Sequence, residues 1–206
     1  MVAYNLGHLT QNDDQNVYGP IQDDEALFLF ALVRTMRIDR ILELGGLRGY
    51  SARNFLEAMG PNGKLYTVDM IDIPSLSDNH VTIKKNCADV VSGDVDNIPL
   101  ELIFFDCHAH NAQMLMFSKL RDAGIVTDRT VIALHDTNLH PTASTHHAYA
   151  VEGGYVHQAA ERRMVNDLHA MGYDAFCAHT TMNKHGSKFP ARHGITIMQK
   201  FTRLVV

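Results

Sequence analysis

The chain has 206 residues, a formal net charge of −5, 46% apolar residues and 20% charged residues. This length allows one domain with a substantial core, and the composition excludes a disordered or fibrous protein. No basic stripe and no membrane-length apolar run stands out, which argues against a nucleic-acid or membrane partner.

The predicted elements begin after a polar, turn-rich segment, residues 1–19, which is expected to be an arm or a lid. Residues 20–206 are predicted to form one domain, whose first helix spans Asp23 to Met36. Further candidate helices are Tyr50–Met59, Ala88–Ser92, Ala112–Ala123 and Val156–Met171. The candidate strands are Ile41–Leu44, Lys64–Val68, Val81–Lys84, Leu100–Phe105, Thr130–Leu134, Ala175–Ala178 and Ile195–Lys200.

The alternation of strands and helices predicts an α/β fold in which helices cover both faces of a parallel sheet. The end of the chain differs, because a long helix precedes Ala175 and a polar loop separates that strand from Ile195. This ending suggests that the final strand runs in the reverse direction.

A glycine-rich turn follows the first candidate strand. Glu43, Gly45, Gly46 and Gly49 lead directly into the candidate helix that begins at Tyr50. Glycines let a ligand approach the backbone closely and the N–H groups of the helix start face it, so a nucleotide-like ligand is expected. The spacing of Glu43, Gly45 and Gly49 differs from the Gly-x-Gly-x-x-Gly spacing of dinucleotide-binding turns.

This turn resembles the first motif of class I S-adenosylmethionine-dependent methyltransferases, and the resemblance covers roughly residues 20–200. It implies a Rossmann-like sheet of seven mostly parallel strands whose last strand is antiparallel. It also implies that S-adenosylmethionine is the cofactor, bound by Glu43 and the glycines of the turn. In that family the neighbourhood of Tyr50 and Ser51 holds the amino-acid end of the cofactor, although Ser51 could equally cap the helix.

Two later strand ends complete the predicted cofactor site. Asp69 ends the second candidate strand, 20 residues after Gly49, where an acid that binds ribose hydroxyls is expected, and Met70 follows it. The alternative role for Asp69 is that of a turn residue. In the family that the chain resembles, a small and then a polar residue after the third strand lie along the adenine ring, and Ala88 and Asp89 fit that place. Asp89 would serve equally well as a helix N-cap.

The fourth and fifth candidate strands end in residues suited to catalysis. Adjacent parallel strands would bring Asp106, His135 and Asp136 to one edge of the sheet, where Asp106 is also expected to contact the cofactor. Two carboxylates and an imidazole can hold a divalent cation that leaves positions open for substrate oxygens. The alternative is that the acids are turn residues and that His135 packs in the core.

These strand ends resemble those of the metal-dependent small-molecule O-methyltransferases, which include catechol-type and antibiotic-sugar enzymes. The fifth strand ends in Asp-Asn in the catechol type and in Glu-Asp in the sugar type, whereas this chain has His135-Asp136. The identity of the cation therefore stays open between Mg²⁺ and a transition metal, and an imidazole ligand favours the transition metal. His135 is either a metal ligand or a general base that removes the proton of the acceptor near neutral pH.

Histidines are concentrated in the second half of the chain. Residues 137–155 are predicted to form a polar loop that binds the acceptor, with His108, His140 or His157 facing the substrate. Histidines on the surface are the alternative. The charged residues of the following helix, among them Glu161, are expected to be solvated.

The predicted function is methyl transfer from S-adenosylmethionine to a hydroxyl of a small molecule, such as a sugar or a phenol. Assistance by a divalent metal is left open. Three other classes stay open: a methyltransferase-like protein that binds the cofactor without catalysis, a nicotinamide-dependent oxidoreductase on a Rossmann sheet, and a metalloenzyme built on the histidines. The spacing of the glycine turn disfavours the oxidoreductase. A hydroxylated small molecule is the expected partner, and a homo-oligomer is left open.

The expected compartment is the cytoplasm. The first twenty residues lack the basic start and apolar core of a signal peptide. Cys87, Cys107 and Cys177 are odd in number and widely spaced, so they are predicted to be buried free thiols in a reducing environment.

Overall fold

The computed structural model describes residues 21, 23–137, 148–151, 154–157, 160–178 and 194–200. The predicted arm or lid at residues 1–19 lies outside the described residues, as does most of the predicted acceptor loop. None of the helices within the described ranges is long and apolar enough to span a membrane.

The described residues contain nine strands and four α-helices. The strands are β1 (Arg40–Leu44), β2 (Lys64–Asp69), β3 (His80–Lys84), β4 (Leu102–Phe105), β5 (Val131–Leu134), β6 (Ala148–Val151), β7 (Gly154–His157), β8 (Tyr173–Ala178) and β9 (Ile195–Lys200). The helices are α1 (Asp23–Met36), α2 (Tyr50–Ala58), α3 (His110–Asp122) and α4 (Ala160–Ala170). Single 3₁₀ turns lie at Cys87–Asp89 and Ser92–Val95.

Seven strands form one sheet in the order β3-β2-β1-β4-β5-β9-β8. Neighbours among β1 to β5 are parallel, whereas β9 is antiparallel to both β5 and β8. The predicted seven-stranded, mostly parallel sheet with a reversed last strand is therefore confirmed. The strand order changes direction between β1 and β4, and ligands of open α/β sheets bind in the crevice beyond the carboxyl ends of the strands at such a point.

Two apolar cores lie on opposite faces of this sheet. Residues of β1 alternate between them, since Ile41 packs with side chains of α1 and α2, and Leu42 packs with side chains of α3 and α4. Strands β4 and β5 are buried along their whole length. Continuous burial is expected of parallel strands that helices cover on both faces.

Three segments differ from the sequence predictions. The predicted polar loop at 137–155 contains β6, which pairs with β7, and the helix predicted from Val156 therefore begins only at Ala160. Tyr149 opposite Val156 illustrates the cause, because aromatic and β-branched residues favour paired strands. The helix predicted at Ala88–Ser92 is instead interrupted after Asp89, because so short a segment gains too few hydrogen bonds to propagate a helix.

The cysteines are free thiols, as predicted, but they are not uniformly buried. Cys87 is buried, Cys107 is partly buried and Cys177 is exposed on β8. The prediction of burial was wrong for Cys177, because its strand lies at the edge of the sheet.

Candidate cofactor and acceptor site

The glycine turn begins where β1 approaches the end of β4. Gly45 has a φ of 91° and donates a backbone hydrogen bond of 2.9 Å to the Val68 carbonyl. A Cβ at Gly45 would lie 2.4 Å from the Asp106 carbonyl oxygen, so no larger residue fits without a shift of the backbone. Glycine is required here by both the left-handed conformation and the close approach.

The turn ends at the start of α2. Gly49 has a φ of 78°, and its N–H donates a hydrogen bond of 2.7 Å to the Gly46 carbonyl. Tyr50, the first residue of α2, is partly exposed. The N–H groups at a helix start lack partners within the helix and attract negative groups such as a carboxylate.

Asp69 connects the end of β2 to the glycine turn. Its Oδ2 accepts hydrogen bonds of 3.0 Å from the backbone N–H groups of Gly46 and Leu47, and its Oδ1 accepts one of 3.2 Å from Ile71. The carboxylate predicted to bind ribose therefore also organises the turn. Met70 beside it is 69% exposed.

Glu43 and Ser51 lie beneath the turn. The Glu43 carboxyl is fully buried and accepts hydrogen bonds from the Ser51 hydroxyl and, at 2.6 Å, from the Thr67 hydroxyl. Burial raises the pKa of Glu43 to about 7, despite the opposing effect of these two hydroxyls. The Glu43 carboxyl therefore links the first turn of α2 to β2 beneath the glycine turn.

The polar network under the turn continues to His80 on β3. The N–H of Leu76 donates to His80 Nδ1 at 3.2 Å, so Nε2 carries the proton and donates to the Thr67 hydroxyl at 2.8 Å. Burial lowers the pKa of His80, which agrees with a neutral ring. Thr67 and His80 were not predicted as site residues, although Thr67 is a polar residue in the buried middle of β2 and is the β2 partner of Glu43.

The predicted adenine-binding pair lies in the 3₁₀ turn after β3. Asn86 caps this turn, since its Oδ1 accepts a hydrogen bond of 2.9 Å from the Ala88 N–H. Asp89 is exposed and lies inside the turn, so it does not act as the N-cap. Lys119 of α3 donates a hydrogen bond of 2.8 Å to the Ala88 carbonyl and so connects the turn to α3.

Three residues at the ends of β4 and β5 bring potential metal-ligand atoms together. Atoms of Asp106, His108 and Asp136 lie within 4.8 Å of one another. His108 Nε2 is 3.7 Å from Asp106 Oδ1 and 3.6 Å from Asp136 Oδ2. His108 and Asp136 have positive φ angles of 55° and 57°. Left-handed conformations of non-glycine residues cost free energy and cluster at functional sites.

His135 lies next to this trio but is engaged on both sides. Its Nδ1 is 3.1 Å from Asp106 Oδ1, and its Nε2 is 3.1 Å from Glu25 Oε2 on α1. Burial alone would lower the pKa of His135, but Asp136, Asp106 and Glu25 raise it well above its ordinary value. Both ring nitrogens of His135 thus face carboxylates, and His135 is not one of the three residues whose ligand atoms cluster.

Glu161 of α4 supports His108. Its Oε2 lies 3.0 Å from His108 Nδ1, and its Oε1 accepts a hydrogen bond of 2.8 Å from the His108 backbone N–H. Burial alone would lower the pKa of His108. The negative charges of Glu161, Asp136 and Asp106 outweigh this effect of burial and raise the pKa to about 10. The expectation that Glu161 is solvated was wrong, since this side chain is fully buried.

Helical spacing is the signal in the sequence that marks Glu25 and Glu161 as buried acids. Glu161 lies three and seven residues before the buried Met164 and Leu168, and Glu25 lies four residues before the buried Leu29. An acid on the apolar face of a helix needs a partner, because an unpaired buried charge is costly.

The charges of the cluster suit a divalent cation. Glu25, Asp106, Asp136 and Glu161 supply four carboxylates against two imidazoles, so two negative charges remain even with both rings protonated. Burial raises the pKa of Asp106 to about 6, against the opposing effect of His135. The donor set of two carboxylates and one imidazole in the trio fits such an ion chemically. The side chains of His140 and His157 lie outside the described residues.

Solved methyltransferases have the same architecture. An O-methyltransferase of Bacillus cereus in complex with S-adenosylhomocysteine has 18% sequence identity, a TM-score of 0.65, and a match that covers 97% of this chain and 93% of that one. An O-methyltransferase of Streptomyces achromogenes involved in tomaymycin synthesis, in complex with S-adenosylmethionine, has 17% identity, a TM-score of 0.61, and coverage of 98% and 92%. A methyltransferase of Podospora anserina bound to S-adenosylhomocysteine has 13% identity, a TM-score of 0.60, and coverage of 96% and 87%.

A curated sequence relative points in the same direction over a shorter range. A protein-L-isoaspartate O-methyltransferase of Methanococcus vannielii is 29% identical over 93 residues, a match that spans 42% of this chain and 44% of that enzyme. No protein-family model matches the chain. Together with the order and directions of its seven strands, these similarities establish that the chain has the fold of the class I S-adenosylmethionine-dependent methyltransferases.

Proposed function

We propose that the chain is an S-adenosylmethionine-dependent methyltransferase that acts on a hydroxyl of a small molecule. The observation that carries this proposal is the close approach of Gly45 to the Asp106 carbonyl, which joins the glycine turn to the acid–imidazole cluster. A methyl donor bound at the turn and an acceptor bound at the cluster would therefore be neighbours. Such proximity is needed because transfer requires the acceptor oxygen, the methyl carbon and the sulfur to lie in line.

The proposed cofactor site relies largely on the backbone. The glycines let the ligand approach β1, and the N-terminus of α2 attracts the carboxylate of the methionine moiety. Asp69 can accept from ribose hydroxyls while it keeps its bonds to Gly46 and Leu47, because a carboxylate has about four acceptor positions. Ala88 offers a small surface for the adenine ring.

The chemical step needs a proton acceptor. Transfer forms the bond between the acceptor oxygen and the methyl carbon, breaks the bond between that carbon and sulfur, and releases one proton. Asp106 suits this role, because its pKa of about 6 is closer to neutral pH than that of an ordinary carboxyl. His135 is less suited as a base, since both its ring nitrogens already face carboxylates.

A divalent cation, if the protein uses one, would be held by Asp106, His108 and Asp136. When bound, it would lower the pKa of the acceptor hydroxyl beside it. Glu25 and His135 would hold Asp106 in place from the opposite side.

Cofactor binding is the first test of the proposal. We expect calorimetry to detect binding of S-adenosylhomocysteine but not of NAD. Asp69→Asn should weaken binding about 10- to 100-fold, since a hydrogen bond to a charged group contributes about 1.5–3 kcal/mol. Asp78→Asn, which changes an exposed carboxylate on the loop before β3, is the control and should bind normally.

Catalysis is tested by transfer of a radiolabelled methyl group from S-adenosylmethionine to a library of hydroxylated small molecules, with and without a chelator. Asp106→Asn should abolish transfer that the wild-type protein supports. Cofactor binding without transfer to any acceptor would instead favour a non-catalytic binding protein. Binding of NAD in place of S-adenosylhomocysteine would contradict the proposal altogether.

A further inference from the structure

We propose that Glu161 is a positioning residue that turns His108 Nε2 toward Asp106 and Asp136 and so makes this trio selective for a transition metal over Mg²⁺. The inference deepens the proposed function, on which it rests, by naming the class of metal and the residue that selects it. It starts from the contact of a buried carboxylate on α4 with the segment that follows β4.

Glu161 uses both carboxylate oxygens within the site. Oε1 accepts from the His108 backbone N–H at 2.8 Å and from Gln113 Nε2 at 2.7 Å, while Oε2 lies 3.0 Å from His108 Nδ1. The side chain is 0% exposed, so solvent does not compete for these bonds. A carboxylate with this many partners holds its own orientation and that of the imidazole together.

The contact decides which nitrogen of His108 keeps its proton when a metal displaces the other one. A carboxylate can only accept hydrogen bonds, so Nδ1 must be the donor to Glu161. Nε2 then points toward Asp106 and Asp136, where its lone pair can bind a metal once its proton leaves. Carboxylates that hold histidine ligands in this way fix the tautomer and strengthen the metal site.

The class of metal follows from the ligand. Mg²⁺ prefers oxygen ligands and keeps several waters, whereas imidazole nitrogen suits transition metals. Two carboxylates alone would serve Mg²⁺, so His108 Nε2 is the group that shifts the preference. Without Glu161, the ring would lose the partner that holds this nitrogen in place.

The chain offers a matched control on the same helix. Asp167 of α4 also contacts a histidine, since its Oδ2 lies 2.6 Å from His110 Nε2. The Asp167 side chain is 49% exposed, and His110 is not one of the three residues in the trio. Asp167→Asn therefore removes a carboxylate–histidine contact from α4 without changing the trio.

The experiment titrates Co²⁺ and Mg²⁺ into the full chain, with absorbance of the Co²⁺ d–d bands as the readout. Asp136→Asn identifies which part of the signal comes from the trio rather than from other histidines. We expect the wild type to bind Co²⁺ more tightly than Mg²⁺ and Glu161→Gln to lose about 10- to 100-fold in Co²⁺ affinity. The Mg²⁺ affinity of Glu161→Gln should equal that of the wild type. Asp167→Asn should bind both metals as the wild type does.

A second readout needs no metal. In Glu161→Gln the amide oxygen can keep the backbone bond to His108, which leaves the amide N–H₂ facing Nδ1. We therefore expect ¹⁵N NMR to show a proton on His108 Nδ1 in the wild type and its loss in Glu161→Gln. A merely structural role would lower the melting temperature without changing this protonation pattern.

Two outcomes would overturn the inference: unchanged Co²⁺ affinity in Glu161→Gln, or no Co²⁺ signal from the trio in the wild type. Either could occur while S-adenosylhomocysteine binding and methyl transfer remain intact, so the proposed function would survive. Loss of cofactor binding in the wild type would instead remove the proposed function. If Glu161→Gln does not fold, Glu161→Asp, which keeps the charge but withdraws it from the ring, should show the same loss of Co²⁺ affinity.

Discussion

At the scale of single residues, burial changes what several acids of this chain can do. The motif of the glycine turn predicts that Glu43 binds the cofactor. In the structure its carboxyl lies under the turn, between Ser51 and Thr67. Desolvation disfavours its charged form, and its pKa rises from 4.5 to about 7. The folded state therefore holds the Glu43 proton over a range of pH in which the unfolded chain has lost it.

Glu43→Gln should remove a pH dependence of stability. An acid whose pKa is raised by folding stabilises the protein at low pH, and this contribution is lost as the pH rises from 4.5 to about 7. The free energy of unfolding of the wild type should therefore fall relative to that of Glu43→Gln, with a slope of at most about 1.4 kcal/mol per pH unit. Urea unfolding across this range measures the difference between the two proteins.

The control for this prediction is Glu57→Gln, which changes an exposed carboxyl on α2. Its free energy of unfolding should follow the wild type at every pH. If Glu43→Gln also ran parallel to the wild type, Glu43 would be ionised in the folded protein throughout the range.

At the scale of elements, α4 shows what a hydrophobic pattern can and cannot predict. The recurrence of Met164 and Leu168 correctly indicated a helix that packs on the sheet. The same face carries Glu161, whose burial becomes intelligible only through His108 and Gln113, residues more than forty positions earlier in the chain. The start of the helix was also misplaced, because β7 takes the residues before it into a hairpin with β6.

Leu168→Ala should destabilise the protein by about 2–5 kcal/mol, because it leaves a cavity in the fully buried contact between α4 and the sheet. The neighbouring Asp167→Ala should cost less than about 1 kcal/mol, since the Asp167 side chain that contacts His110 is about half exposed. Urea unfolding of both variants tests the orientation of the helix. Equal losses would mean that α4 does not bury the face that contains Leu168.

At the scale of the whole molecule, one sheet separates two cores that share its strands. Ile41 of β1 faces the core formed with α1 and α2, and Ile132 of β5 faces the core formed with α3 and α4. Since neighbouring residues of each strand belong to different cores, neither core can lose its strands while the other stays intact. The domain is therefore expected to unfold in one transition.

Ile41→Val and Ile132→Val test this coupling. Each should cost about 0.5–1.5 kcal/mol, and the double variant should show the sum to within about 0.5 kcal/mol, because the residues lie on opposite faces. Far-ultraviolet circular dichroism and tyrosine fluorescence should report the same urea midpoint for every variant. A variant whose two probes separate would show that the cores unfold independently.

Apart from the β6–β7 hairpin, the sequence alone determined the order of the elements, the sheet type, the glycine turn and the strand-end positions of Asp69, Asp106 and Asp136. These features follow from local periodicity and from the rule that the carboxyl ends of parallel strands meet at one edge. Their determinants lie within short stretches of chain, which is why one sequence was sufficient.

Only the tertiary structure decided which side chains at that edge face one another. The sequence predicted His135 as a metal ligand or base and His108 as a histidine that faces the substrate, and the different surroundings of the two rings arise from Glu25 on α1 and Glu161 on α4. Each of these acids is remote in sequence from the histidine that it contacts, and packing of the two helices on opposite faces of the sheet brings them to it. The only local sign of such a contact in the sequence is an acid on the apolar face of a helix. The identity of its partner depends on how the elements are placed relative to one another rather than on the order of residues.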